Sequence, residues 1–320
     1  MIEHVVVMAA SPSRRMEALT RTRPKAMLPV LGKPVVARVM EDFYRAGIRR
    51  FTVVIGEKEG SVAMWLKERW YVDAAVAFAP QGHRRGTLSA LFAVRDLIHE
   101  PFIITSCDNL VPAEHIRQLS RYFETHPGDT AVLSLYYAPE EVVESAGVLL
   151  DPRGHVMYIS EQPTGAHQDF RTALPIYGFK PEVFDYLDRV PVREESGGRM
   201  LAMAIQAMID DGENVGALET DERLRLDTPD DLLAACVALM NRSVAPAVLS
   251  ELPRTVEVIP PVVIDAGVTV ANHVTLGPNV YLESGSRIGA NSTLKNTLVL
   301  GRHVGAGQDL DGEIVDEDRV

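Results

Sequence analysis

Cysteine is nearly absent from this chain: Cys107 and Cys236 are the only two in 320 residues. Two thiols cannot build a disulfide framework, so the expected setting is cytoplasmic. Positive charge is also in short supply. The 32 lysines and arginines face 44 aspartates and glutamates, a formal charge of −12. Nucleic acid or an anionic membrane needs a cationic face, so neither is expected as a partner. No run approaches the roughly 20 apolar residues of a membrane helix. The N-terminal stretch MIEHVVVMAASPSRR is apolar only briefly and then turns basic, the wrong order for a secretory signal. His-Glu-x-x-His, paired Cys-x-x-Cys and Gly-x-Ser-x-Gly are all missing, which removes support for zinc and serine-hydrolase chemistry.

What remains has the make-up of a soluble enzyme, with 46% hydrophobic and 24% charged residues. His4 to Met8 reads as a buried strand, since its valines are consecutive rather than alternating. After Pro34, the spacing of Val35, Val36, Val39, Met40, Phe43 and Tyr44 predicts a helix stopped at Ala46-Gly47. Strands at 51–55, 75–79, 101–105 and 130–136 then alternate with helices at 61–70, 87–98, 113–125, 199–211 and 229–241. That alternation implies an α/β, three-layer, mostly parallel sheet, whose ligands bind at the carboxyl ends of strands. The 11–25 loop and Asp108 both follow such ends.

Beyond Pro253 the pattern changes. Ile264, Val270, Leu276, Leu282, Ile288, Leu294 and Leu300 are aliphatic at a spacing of six, and Ala306 extends the series. A second register holds Val268, Val274, Val280, Leu298, Val304 and Leu310, with Ser286 and Ser292 in the remaining slots. Period six fits neither a helix nor a simple strand, but it fits a parallel β-helix with one hexad per side. The expected division is an α/β domain over 1–242, a linker over 243–257 and a β-helix over 258–320.

Met8-Ala-Ala-Ser-Pro-Ser-Arg-Arg-Met-Glu-Ala-Leu-Thr20 and Arg23-Pro-Lys-Ala-Met-Leu-Pro-Val30 together resemble the signature of the sugar-1-phosphate nucleotidyltransferases, the NDP-sugar pyrophosphorylases. That signature reads roughly A-A-G-x-G-T-R-L-x-P-L-T, then P-K-x-L-x-P-V. Further blocks follow in the family's order: Lys33-Pro34, Ala46-Gly47-Ile48, Gln81 with Gly86-Thr87, the strand ending in Asp108, Glu161-x-Pro163, and Asp227-Thr-Pro-Asp-Asp-Leu232. The resemblance covers nearly the whole chain, and a trailing hexapeptide-repeat left-handed β-helix is common in the family. It implies transfer of a nucleotidyl group from an NTP to a sugar 1-phosphate, with pyrophosphate leaving and Mg²⁺ as cofactor. By the same resemblance, Arg15 and Lys25 are the catalytic cations, and Asp108 and Asp227 the metal ligands. Ala10, Ser11, Ser13, Arg14, Gln81, Gly86 and Thr87 bind the nucleotide; Glu161 and Tyr177 bind the sugar. The implied partners are the two substrates and further copies of the chain, because an open coil end exposes edges that pair.

Several ligand-facing positions depart from the family. Ser11 and Ser13 stand where two glycines would bring backbone N–H groups onto phosphates. Arg14 replaces Thr, Ala18 replaces Pro, Gln162 replaces a lysine, and Pro175 replaces the glycine of a later A-G-x-Y block. Such losses leave open a second reading, a catalytically weakened regulatory or scaffolding subunit. Against them stand Arg14, Arg84 and Arg85, which would form a cationic basin for polyphosphate in an acidic protein. A solvated basic loop for Arg15 and Lys25, a helix N-cap for Asp227, an exposed-loop role for Gln81 and a small-residue core role for Cys107 are the plainer alternatives. His273 and His303 lie in the β-helix, where some relatives carry an acyltransferase histidine; that role ranks below the other two.

Overall fold

A computed structural model describes residues 1–10, 14–57, 59–82, 87–138, 146–161, 169–190, 199–242 and 247–317; of 14, 199 and 200 it describes the backbone alone. The chain forms two compact units. One comprises Met1–Pro12 with Val36–Arg223, the other Ser13–Val35 with Leu224–Val320.

The first unit is built on one mixed sheet. Its strands are β1 (His4–Met8), β2 (Arg50–Ile55), β3 (Ala75–Pro80), β4 (Phe102–Ser106), β5 (Asp129–Tyr136), β6 (Gly147–Leu150), β7 (Val156–Ser160), β8 (Arg171–Phe179) and β9 (Asn214–Thr220). Their order is β7-β6-β8-β4-β1-β2-β3, with β5 pairing β8 and β9. Strands β4, β1, β2 and β3 run parallel, and β8 lies antiparallel to β4. All five residues of β1 are buried, as its unbroken valines require. Val6, Met8, Val54, Phe102, Ile104, Leu133, Phe179 and Met208 belong to one continuous core. Phe102 stacks on Phe184 at 5.6 Å between ring centres.

Helices occupy Val35–Arg45, Gly60–Arg69, Thr87–Val94, Ala113–Thr125 and Arg199–Asp210, close to where the apolar spacing puts them. The third is shorter than its pattern, ending at Val94 and passing into a 3₁₀ turn over Arg95–Leu97. Strands β6 to β9 carry no clear sequence signal. In β8 a proline, Pro175, interrupts the run, which ordinarily demotes a segment from sheet. Here it sits in the register shift between Ala173 and Tyr177, where no partner needs its missing N–H.

In the second unit the β-helix has three parallel sheets. One contains Ala247–Val248, Val262–Ile264, Val280–Leu282, Thr297–Val299 and Ile314–Val315, so pairing begins ahead of residue 258. Inward residues such as Ile264, Val270, Leu276, Leu282, Ile288 and Leu294 form the core, as period six requires. The period then breaks. Ile264 pairs with Leu282, a step of 18, but Leu282 pairs with Val299, a step of 17, and Ile288 with Val304, a step of 16. Hence Val299, Val304, Leu310 and Val315 fill the core in the last coil. Leu300 and Ala306, expected to continue the series, do not: Leu300 is buried outside this core and Ala306 is exposed. Serines mend the tightened corners. Buried Ser286 donates to the Val299 carbonyl at 3.1 Å, and buried Ser292 to that of Gly305 at 3.0 Å. At the opposite turn Asn279, Asn296 and Asp311 form a ladder with both links at 2.8 Å.

Two buried histidines make the first unit acid-sensitive. His4 Nε2 meets Thr52 Oγ1 at 2.8 Å, and His115 Nε2 meets Ser134 Oγ at 2.9 Å. Burial lowers the pKa of each to about 4; the Arg50 charge adds to this at His4 while Glu100 opposes it. A folded pKa below the unfolded value of 6.5 means that protons favour the unfolded chain. Stability is therefore complete above pH 6.5 and falls as the pH drops toward 4, by about 2 kcal/mol per histidine at pH 5. Urea unfolding at pH 7.5, 6 and 5 checks this: His115→Gln is expected to lose less stability over the range than wild type. A wild-type midpoint flat across those pH values refutes it.

Candidate functional site

The first unit brings its candidate residues to one edge of the sheet. Ser106 pairs with Met8, Met8 with Val54, and Ile55 with Pro80, so four parallel strands end side by side. Beyond those ends the chains stay in register: Cys107 N–H donates to the Met8 carbonyl at 3.2 Å, Ala9 N–H to Val54 at 2.9 Å and Gln81 N–H to Ile55 at 2.8 Å. Ala10, Asp108 and Gln81 are thereby placed at the carboxyl edge. The chain runs from β1 outward through β2 and β3, then returns to the other flank of β1 as β4. The topological switch is between β1 and β4, and the residues just past it are Ala10 and Asp108.

Cys107 is buried and serves as the small residue beside Asp108. Asn109, which carried no assignment from the sequence, donates its amide to Asp108 Oδ1 at 3.0 Å and to Ser106 Oγ at 3.3 Å. Its own Oδ1 is buried without a hydrogen-bond partner among the described residues, a costly state in a folded protein. Gln81 is 8% exposed, which removes the exposed-loop alternative. Thr87 opens the third helix at intermediate exposure. Glu161 follows β7, and Tyr177 lies buried in β8 within the core. The two are neighbours electrically: burial first, then the Glu161 charge, pushes the Tyr177 hydroxyl above its ordinary pKa.

In the second unit, Asp227 gathers cations from both segments of chain. Lys25 Nζ donates to Oδ1 at 2.9 Å; Arg15 and Arg225 donate to Oδ2 at 3.1 and 3.0 Å. Lys25 is 4% exposed, so its charge has to be paired. Burial of Asp227 works to raise its pKa, but the charge and hydrogen bond of Lys25, then those of Arg225, outweigh it and hold the carboxyl below its ordinary value. Helix capping does not occupy Asp227. Thr228 Oγ1 accepts from Asp231 N–H at 3.1 Å while Asp231 Oδ2 accepts from Thr228 N–H at 2.8 Å, a reciprocal capping box at the head of Pro229–Arg242. Arg225 was missed in the sequence; its signal was its place two residues before Asp227.

Ser11, Ser13, Gly86, the Arg84–Arg85 pair and Gln162 lie outside the described residues, as does the side chain of Arg14. No group of three or more His, Cys, Asp or Glu among the described residues makes a metal cage by itself. No helix among them is long and apolar enough to cross a membrane.

The model of the family described as nucleotidyl transferase matches residues 4–240. A UTP–glucose-1-phosphate uridylyltransferase, AglF, of Haloferax volcanii is 26% identical over 227 residues, 71% of this chain and 92% of that protein. A UTP–glucose-1-phosphate uridylyltransferase of Staphylococcus haemolyticus is 27% identical, covering 66% and 82%. Among solved structures, a UDP-glucose pyrophosphorylase complexed with UDP-glucose superposes with a TM-score of 0.67 at 19% identity, covering 76% of this chain and all of that one. That likeness is one of fold. With a buried lysine and an arginine held on Asp227, a carboxylate at the switch point and the family match over most of its length, this chain belongs to the nucleotidyl transferase family.

Proposed function

We propose that the protein transfers a nucleotidyl group from an NTP to a sugar 1-phosphate, releasing pyrophosphate. The observation that carries this reading is the cluster of Lys25, Arg15 and Arg225 on one carboxylate. Lysine and arginine side chains gathered at one place are the groups that bind a polyphosphate by charge-assisted hydrogen bonds.

The reaction is an attack by a phosphate oxygen of the sugar on the α-phosphorus, with the bond to the β-phosphate oxygen breaking. It demands alignment and charge neutralisation rather than a covalent group from the protein. Lys25 and Arg15 would hold the triphosphate and take up charge on the departing pyrophosphate. Lys25 is suited to this because its turn is fixed: Leu28 N–H bonds back to the Lys25 carbonyl at 3.0 Å and Val35 N–H to Leu28 at 2.9 Å. Ala10 would lie against the nucleotide at the sheet edge, with Gln81 and Thr87 following strands that end on the same side. Glu161 would accept hydrogen bonds from sugar hydroxyls.

Asp108 fits a hard divalent ion such as Mg²⁺, being a carboxylate at a strand end beside an unsatisfied amide oxygen. Asp227 fits only in part, since both of its oxygens already accept from cations. When bound, Mg²⁺ supplies neutralisation of phosphate charge. The names of the relatives make UTP with glucose 1-phosphate the first pair to assay. The weakened-subunit reading rests on Ser11 and Ser13 in place of glycines and Gln162 in place of a lysine, and the same assay decides it.

Pyrophosphate release is to be measured with Mg²⁺ over the common NTPs crossed with hexose and N-acetylhexosamine 1-phosphates. One NTP–sugar pair is expected to give release, and Asp108→Ala to abolish it; silence across the panel, from protein that still binds nucleotide, establishes the weakened subunit instead. Lys25→Ala is expected to lower kcat/KM for the NTP by about a hundred-fold or more, as loss of a preorganised charge does, with Arg15→Ala falling less because Arg15 is the more exposed. Equal and small effects from both would remove the phosphate role from this cluster.

A further inference from the structure

The segment that carries Lys25 is fastened to the β-helix at both of its ends. Ahead of Lys25, the Arg23 guanidinium grips Glu283 with two nitrogens on two oxygens, NH2 to Oε2 at 3.1 Å and NH1 to Oε1. Glu283 is 17% exposed and Arg23 28% on their side chains, so water screens this pair less than a surface one. Behind Lys25, strands Pro29–Val30 and Lys33–Pro34 form a hairpin through Leu31 and Gly32, both at positive φ (48° and 80°). Gly32 N–H donates to Tyr281 Oη at 3.0 Å, and that hydroxyl donates to Asp265 Oδ2 at 2.8 Å.

Tyr281 is the telling residue. It lies between Val280 and Leu282, both of which point into the β-helix core, so its own side chain points out of the coil. An outward residue of a β-helix is ordinarily wet, yet Tyr281 has no exposed surface. The hairpin reaches it at Gly32, where a Cβ would come within 3.0 Å of Asp265 Oδ1. A side chain there would crowd the Asp265 carboxylate and strain a backbone held at φ 80°.

We propose that Tyr281 and Glu283 are positioning residues for Lys25, so that the β-helix sets the phosphate site. The proposal rests on the reading of Lys25 as the phosphate-holding cation. Glu283 holds the chain ahead of the Lys25 turn through Arg23, and Tyr281 holds it behind through the Gly32 amide. A buried ammonium 2.9 Å from Asp227 has little room for error, and a small shift of its backbone alters its reach to a phosphate.

The test is steady-state kinetics with UTP and glucose 1-phosphate, or the pair found in the panel, on Tyr281→Phe, Arg23→Glu, Glu283→Arg and the exchanged double variant, with Lys25→Ala as reference. Arg23→Glu and Glu283→Arg are expected to lower kcat/KM for the NTP by about ten-fold or more, leave KM for the sugar phosphate within about two-fold, and recover most of the loss when combined. Tyr281→Phe, which keeps the ring and removes only the hydroxyl, is expected to move the same parameter in the same direction. If the NTP and sugar-phosphate parameters fall together, in step with the thermal midpoint and without recovery in the exchanged pair, the contacts are structural and the proposal is overturned. If Lys25→Ala is crippled while Tyr281→Phe and both charge reversals behave as wild type, the phosphate reading stands and the positioning role is overturned. Wild-type kinetics in Lys25→Ala would overturn both.

Discussion

An ammonium taken out of water has to keep an anion within reach, and Lys25 is almost wholly out of water. Its anion, Asp227, comes from a point 202 residues further along the chain. That one requirement ties residues 13–35 to the segment beginning at residue 224, and the two form a single compact unit. Everything around the pair serves it. Arg225 and Arg15 balance the carboxylate, and the Thr228–Asp231 capping box satisfies the helix start so that Asp227 is left for the cations. A carboxylate so surrounded stays ionised, because the neighbouring cations outweigh the cost of its burial.

The first unit supplies a different constraint. Parallel strands must be crossed over by helices, and the order in which they are laid down leaves a crevice where the winding reverses. Here the reversal falls at β1 and β4, so Ala10 and Asp108 inherit the edge. Asn109 shows the strain such an edge tolerates, with a buried amide oxygen that finds no partner among the described residues. Unsatisfied groups of this kind concentrate where a ligand is to complete them.

The β-helix departs from an ideal repeat where it matters least to its core. Losing two residues over the last coil shifts the inward set from Leu300 and Ala306 to Val299 and Val304, and Ser286 and Ser292 take up the carbonyls that the tighter corners expose. On its outer side, Tyr281 and Glu283 convert a stacking module into a support for another part of the chain. A repeat whose exterior is recruited in this way is no longer interchangeable with an ordinary hexapeptide coil.

Much of this was legible in the residues alone. Consecutive valines in β1, the helical spacing after Pro34 and the six-residue period each follow from local geometry, which a sequence states directly. The ordered blocks also singled out Lys25, Arg15 and Asp227, which the structure brings into hydrogen-bonding contact, and Asp108, which it puts just past the end of β4. The antiparallel strands β6 to β8 were not, because their pairing is non-local and Pro175 disguises β8 as loop. Arg225, Asn109 and the Arg23–Glu283 pair were invisible for the same reason: a charge or amide gains its meaning from what lies within 3 or 4 Å, and that distance is set by the fold. The sequence by itself determined the periods, the buried strands and the order of the reactive groups, since these depend on neighbours along the chain. Only the tertiary structure decided that an outward tyrosine would be dry, that the last coil would be short, and that one aspartate would hold three cations, since each depends on segments tens to hundreds of residues apart being packed together.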